Sequence, residues 1–175
     1  MSDFVQKIKE LNLAVPVVSA IIERTNKGEK EILLQTRWKP GVDLVYTGTL
    51  EIPAGKIESY EDVYQAIKRE VKKETGLSIT KFTPEIKTKI FSSQKDGAFA
   101  FVPFCCQQQL KNGLPLIGFV FICEARGKIK AAKSEARAPF WIKVTALRKI
   151  VKESPKKIFT LQLPALAYYL ERSDD

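Results

Sequence analysis

The sequence predicts an α/β (α+β) fold, a mixed β-sheet with helices packed on it, and three observations carry that expectation. Stretches rich in β-branched and aromatic residues fill much of the chain, a stretch of helical periodicity interrupts them near the middle, and two helical patterns close it. A chain of 175 residues is long enough for one buried core and is expected to form a single domain over residues 1–175.

Taken in order, residues 3–11 suit a short helix. VPVVSAIIER and EILLQTR read as strands joined by the turn NKGEK, a hairpin. Trp38, Pro40 and Gly41 open a loop that runs to Thr47, and LEIPAG is the next strand. From Lys87 onward KTKIFSS, AFAFVPFCCQQQL and GFVFICEARG, separated by the turns QKDG and KNG, argue for three further strands, the last two antiparallel neighbours. A polar loop from Gly127 to Pro139 precedes a last strand, FWIKV. A helix over Ala146–Glu153 capped by Thr145 follows. Pro164 suits the first turn of a final helix, whose Leu166, Tyr169 and Leu170 would close over the sheet.

The central helix is the most informative element. Ser59 is its expected cap with Asp62 at N3, and Gly76 stops it just past Thr75. At about 100° per residue, Val63, Ala66, Ile67 and Val71 form one apolar arc, and Glu70 and Glu74 fall near its centre. Two carboxylates one turn apart near a helix C-terminus repel each other, oppose the helix dipole and lose hydration if buried. Something positive should therefore sit between them.

Composition narrows the chemistry. There is no histidine, which excludes Ser-His-Asp and Cys-His catalysis and leaves carboxylates and lysines as acid–base groups. Cys105, Cys106 and Cys123 have no CxxC spacing and read as strand residues. The net charge of +9, from 29 basic and 20 acidic residues, suits a polyanionic partner such as a diphosphate. RNA is less expected, since no RNP, KH or zinc-finger pattern occurs. No apolar run is long enough to span a bilayer and MSDFVQKIKEL does not look like a signal peptide, so no membrane association and a cytoplasmic location are expected.

The spacing Gly55, Glu61, Arg69, Glu70, Glu74, Gly76 and Leu77 resembles the Nudix box, G-x5-E-x7-R-E-U-x-E-E-x-G-U, where U is aliphatic. That resemblance implies a Nudix-type α/β/α sandwich around the mixed sheet. It also implies hydrolysis of a nucleoside diphosphate joined to another group, with Mg2+ or Mn2+ as cofactor. Glu70 and Glu74 would be catalytic metal ligands, and the Ala54 carbonyl would complete the shell. Glu61 and Arg69, with Gly55 and Gly76, would hold the box in shape. The order QTRW, loop, LEIPAG, box is similar to the ADP-ribose pyrophosphatase branch, which implies that Arg37 and Glu51 frame the nucleotide and that Trp38 stacks on a base. By the family pattern a late loop supplies a glutamate that acts as general base or metal ligand, here Glu135, with Glu124 the second choice. A nucleotide-type small molecule is the implied substrate and a homodimer the implied assembly.

Two positions depart from the pattern. The proline that this branch carries about sixteen residues after its box is replaced by Ser93, with prolines only at Pro84 and Pro103. Lys73 stands where the box has a glutamate, and a protonated lysine cannot coordinate a metal. Three outcomes remain open for Lys73: fewer metals with activity kept, which is the expectation, an ammonium standing in for a lost metal, or binding without catalysis. A noncatalytic nucleotide- or RNA-binding module, with Lys73 meeting phosphate directly, is the competing reading. An RNA 5′-end pyrophosphohydrolase is a third.

Overall fold

A computed structural model describes residues 6–7, 10–11, 13–41, 43–86, 88–130 and 136–172, so the helix expected over 3–11 lies largely outside the described residues. The chain runs β1 (Val15–Asn26), β2 (Glu29–Arg37), β3 (Leu50–Glu51), β4 (Ala54–Lys56), α1 (Val63–Thr75) and β5 (Ser78–Thr83). It continues through β6 (Thr88–Ser92), β7 (Gly97–Phe101), β8 (Cys105–Gln108), β9 (Leu116–Arg126) and β10 (Ala136–Lys143). It ends with α2 (Val144–Glu153), two 3-10 turns and α3 (Leu163–Arg172).

The main sheet has the order β10-β2-β1-β9-β5, with β3 added to β2, β4 to β1 and β8 to β9. It is mixed because β1 and β9 run parallel while the other pairs are antiparallel. Period-two alternation sends the side chains of β1 to two different layers. Val18, Ala20 and Ile22 meet Val63, Ala66, Ile67 and Val71 of α1. Ile21, with Ile32, Leu34 and Val120, meets Leu147 of α2 and Leu166, Tyr169 and Leu170 of α3. The result is the expected α/β/α sandwich, closed by the three α3 residues named from sequence. A third, smaller apolar cluster of Val15, Val17, Tyr46, Leu114, Leu116, Phe159 and Leu161 lies apart from both layers.

Several local expectations differ from the structure. Asp62, not Ser59, caps α1: its Oδ1 accepts the Tyr64 N–H at 2.6 Å, so the helix starts later and Ser59 lies in the preceding turn. Helix α2 starts at Val144 with no side-chain cap, which places Thr145 inside its first turn rather than at the cap. AFAFVPFCCQQQL is two strands, since the chain leaves the sheet at Val102–Phe104, where Pro103 offers no N–H to a ladder. β7 therefore pairs with β6 in a separate two-stranded sheet, and only β8 joins β9. Strand β5 was not read from the sequence, and β10 begins before FWIKV, its first residues pairing with β2 ahead of a register shift between Arg137 and Phe140.

Candidate active site

Strand β4 ends the LEIPAG segment beside α1. The C-terminal half of that helix turns both acidic residues inward: Glu70 is 3% exposed and Glu74 fully buried. Neither points into solvent. Glu74 Oε2 accepts from Gln35 Nε2 at 2.7 Å and from the Ala54 N–H at 3.1 Å, while its Oε1 is buried with no hydrogen-bond partner. Burial, reinforced by the nearby Glu51 carboxylate, pushes the Glu74 carboxyl up to about 8.

Glu70 is held by charge. Arg69 Nη1 donates to Glu70 Oε1, and Lys73 Nζ lies 3.5 Å from Oε2. Arg69 is itself fixed, with Nε and Nη2 each 2.7 Å from a Glu61 oxygen and Nη2 3.0 Å from the Lys56 carbonyl. These bonds hold the Glu61 carboxyl below its ordinary range and raise the Arg69 guanidinium above its own. Gly55 passes so close to Glu70 that an added Cβ would fall 2.2 Å from its Cγ. Gly76, with φ 76°, ends α1 in the left-handed conformation and donates its N–H to the Lys72 carbonyl, the role its position in the box suggests.

The positive charge expected between the two glutamates is instead found on Glu70, as Arg69 and Lys73, while Glu74 is held by the Gln35 amide and the Ala54 N–H. Lys72 and Lys73 also occupy the last helical turn, where cations suit the dipole.

A second network lies behind the first. Gln35 Nε2 donates to both Glu74 and, at 3.3 Å, Glu51. Arg37 pairs with Glu51 at 2.8 Å and with Asp43 at 2.6 Å, and its guanidinium stacks 4.1 Å from the Phe159 ring centre. Burial opposes the Arg37 charge, but the two carboxylates outweigh it and hold the group protonated. Burial likewise raises the Glu51 carboxyl despite Arg37. Arg37 is therefore a buried clamp between β2, β3 and the 38–48 loop rather than a residue at the surface. Gln162, fully buried, donates to the Ile52 carbonyl at 3.0 Å and accepts the Ile52 N–H at 2.8 Å, which fixes the bend between β3 and β4 from the other side.

These elements surround a cavity of about 610 Å³. Glu70, Lys73, Arg69, Arg37, Ala54 and Gly55 reach its wall, together with Lys39 and Lys56. Val17, Leu114, Leu116, Phe159 and Leu161, most of the third apolar cluster, line it as well. Of the residues named from sequence, Glu51 and Glu74 sit one layer behind this wall. Trp38 does not reach it, and the Arg137 guanidinium lies over its ring at 3.4 Å. Glu124 pairs with Lys81 near the far end of β9 from Leu116. Glu135 lies outside the described residues.

Gln35, Asp43 and Gln162 were not among the residues read from sequence. Only Gln35 left a trace, as an amide on the Leu33 face of a strand whose other side chains on that face are apolar or ion-paired.

The donor set suits one divalent ion. It offers two carboxylates one helical turn apart, one of them with an unpartnered buried oxygen. It does not suit a cluster, since among the described residues no three acidic, histidine or cysteine side chains gather.

A family model described as the NUDIX domain matches residues 14–162. The chain belongs to the NUDIX domain family. Among solved structures it is similar to the NUDIX domain of Shewanella oneidensis NrtR complexed with ADP ribose (TM-score 0.63, 12% identity, 99% of each chain covered). It is also similar to a NUDIX hydrolase from Nitrosomonas europaea (TM-score 0.59, 22% identity, 93% of this chain and 90% of that one). A third likeness is the MutT protein from Methanosarcina mazei Go1 (TM-score 0.59, 18% identity, 93% and 96% covered). At these identities the likeness is one of NUDIX fold. No curated protein matches the chain. No helix among the described residues is long and apolar enough to cross a membrane.

Proposed function

We infer that this NUDIX domain hydrolyses the diphosphate linkage of a nucleoside diphosphate derivative, such as ADP-ribose or a nucleotide sugar, with one Mg2+ or Mn2+ held by Glu70 and Glu74. The observation that carries the reading is the burial of both carboxylates on the inward face of α1, with Glu70 on the wall of a cavity lined by cationic and apolar side chains. A divalent ion, when bound, neutralises phosphate charge and lowers the pKa of a bound water.

The chain's own residues account for the remainder. Lys39, Lys56 and Lys73 offer the diphosphate its positive surface, and the apolar wall excludes water around the organic part of the substrate. Gln35 and the Ala54 N–H hold Glu74 in place, leaving its Oε1 as the open acceptor. Glu70 or Glu135 is the candidate proton acceptor for the attacking water. Hydrolysis of a nucleotide panel by wild type and Glu74→Gln tests the reading. Wild type should turn over at least one diphosphate in a metal-dependent way and the variant should lose orders of magnitude; equal rates would reject the site.

One observation favours a second reading. Lys73 stands on the cavity wall where the box has a glutamate, within reach of a bound phosphate, which suits a module that binds nucleotides without cleaving them. That module would bind the same panel in EDTA and turn over none of it.

A further inference from the structure

The Glu70 carboxylate is held between two cations of unequal freedom. Arg69 is tied to Glu61 through two nitrogens and to the Lys56 carbonyl, so it cannot leave Glu70 without breaking a network that also shapes the 58–61 turn. Lys73 approaches the other oxygen, Oε2, from one turn further on, and 42% of its side chain is exposed. Both residues line the cavity, but only Lys73 is on a long, flexible stem that can turn from Glu70 toward an anion within it. Only the lysine end of this i,i+3 pair is exposed, and Glu70, buried, keeps Arg69 as its counter-ion when the Lys73 ammonium turns away, so parting the pair leaves no uncompensated buried charge.

We propose that Lys73 is an exchangeable counter-ion that couples diphosphate binding to metal binding. With the cavity empty it holds Glu70 Oε2, and a divalent ion approaching that oxygen meets an ammonium already in place. A diphosphate entering the cavity gives the ammonium a second anionic partner. Lys73 moves to it, and Glu70 becomes available to the metal. Each ligand therefore tightens the other, and the coupling must be reciprocal. The inference rests on the reading of Glu70 as a metal ligand but not on turnover.

Binding of Mn2+ to the full chain, followed by the paramagnetic resonance of the free ion, provides the test. It is measured with and without α,β-methylene-ADP, in which the bridging oxygen is replaced so that no hydrolysis occurs. The proteins are wild type, Lys73→Met and Lys73→Arg, all checked for an unchanged melting temperature. Because a unit charge near the ion is removed from a partly screened site, Lys73→Met should bind Mn2+ about tenfold more tightly than wild type without the analogue. The analogue should tighten Mn2+ binding to wild type markedly and to Lys73→Met much less, since metal–phosphate contact alone then remains. Lys73→Arg should restore most of the wild-type coupling.

The proposal is overturned if Lys73→Met leaves Mn2+ affinity unchanged without the analogue. Equal coupling in the two proteins would overturn it as well, making the pair with Glu70 a helix-stabilising contact only. If the coupling is found but no nucleotide is cleaved, the hydrolase reading fails and this one stands. Cleavage with Mn2+ binding indifferent to Lys73 does the reverse, and absence of Mn2+ binding to every variant rejects both.

Discussion

Gly55→Ala is the substitution whose consequence the structure defines most closely. An ideal Cβ there would lie 2.2 Å from both Cγ and Cδ of Glu70 and 2.6 Å from its Oε2, well inside the 3.4 Å at which ordinary van der Waals contact begins. Gly55 is not among the positive-φ glycines, so the backbone itself tolerates alanine and the cost is steric. Glu70 is buried and must move away from Arg69 or Lys73 to make room. Overpacking of this kind costs about 1–3 kcal/mol. Loss of unfolded-chain freedom returns roughly 0.4–1 kcal/mol of that. For a chain of this length the melting temperature should then fall by roughly 2–4 °C per kcal/mol lost.

The decisive comparison is a double-mutant cycle with Glu70→Ala, which deletes the atoms the new methyl would strike. In that background Gly55→Ala should cost almost nothing, giving a coupling energy of about 1–2 kcal/mol. Thermal or urea melts of the four metal-free proteins supply the numbers. Additive costs, or a Gly55→Ala protein melting within about 1 °C of wild type, would show that the loop does not cradle Glu70 as described.

Three further outcomes are expected. The Glu74 carboxyl titrates near 8 in the folded metal-free protein and near 4.5 when unfolded, so between those values the folded state holds the extra proton. Stability should accordingly fall as pH rises from about 5 to 8, and the slope should shrink in Glu74→Gln, the remainder coming from the raised Glu51 carboxyl; a wild-type melt that is flat over that range would contradict the burial-driven shift. Arg37→Met strands the Glu51 carboxylate in the interior and should cost about 3–5 kcal/mol at pH 7 in urea denaturation, with Glu51→Gln added on top recovering part of it. Gln162→Leu leaves the buried N–H and carbonyl of Ile52 unpaired. A loss of about 2–4 kcal/mol is expected, with slower hydrolysis as the bend between β3 and β4 loosens; full rate and stability would show that Gln162 does not hold that bend.

The box was legible because its constraints are local. Glu61, Arg69, Glu70, Glu74 and Gly76 fall within four helical turns and one adjoining loop, so helical periodicity alone sets which side chains share a face. The departure, Lys73, was equally visible, but only the folded structure puts its ammonium beside Glu70 on the cavity wall. Caps were less legible, since Asp62 and Ser59 are both good N-cap residues and the choice falls to the turn that the Glu61–Arg69 bonds shape.

What the sequence determined by itself was the helix, its paired inward carboxylates, the α/β layering and the family. All of these follow from spacings repeated along one contiguous stretch or one strand face. Tertiary structure alone decided that Arg37 is a buried clamp, that Gln35 joins Glu51 to Glu74, and that Gln162 grips Ile52 from 110 residues away. A hydrogen bond across such a separation is selected by how the sheet and the closing turns pack, and no periodicity in the chain encodes it.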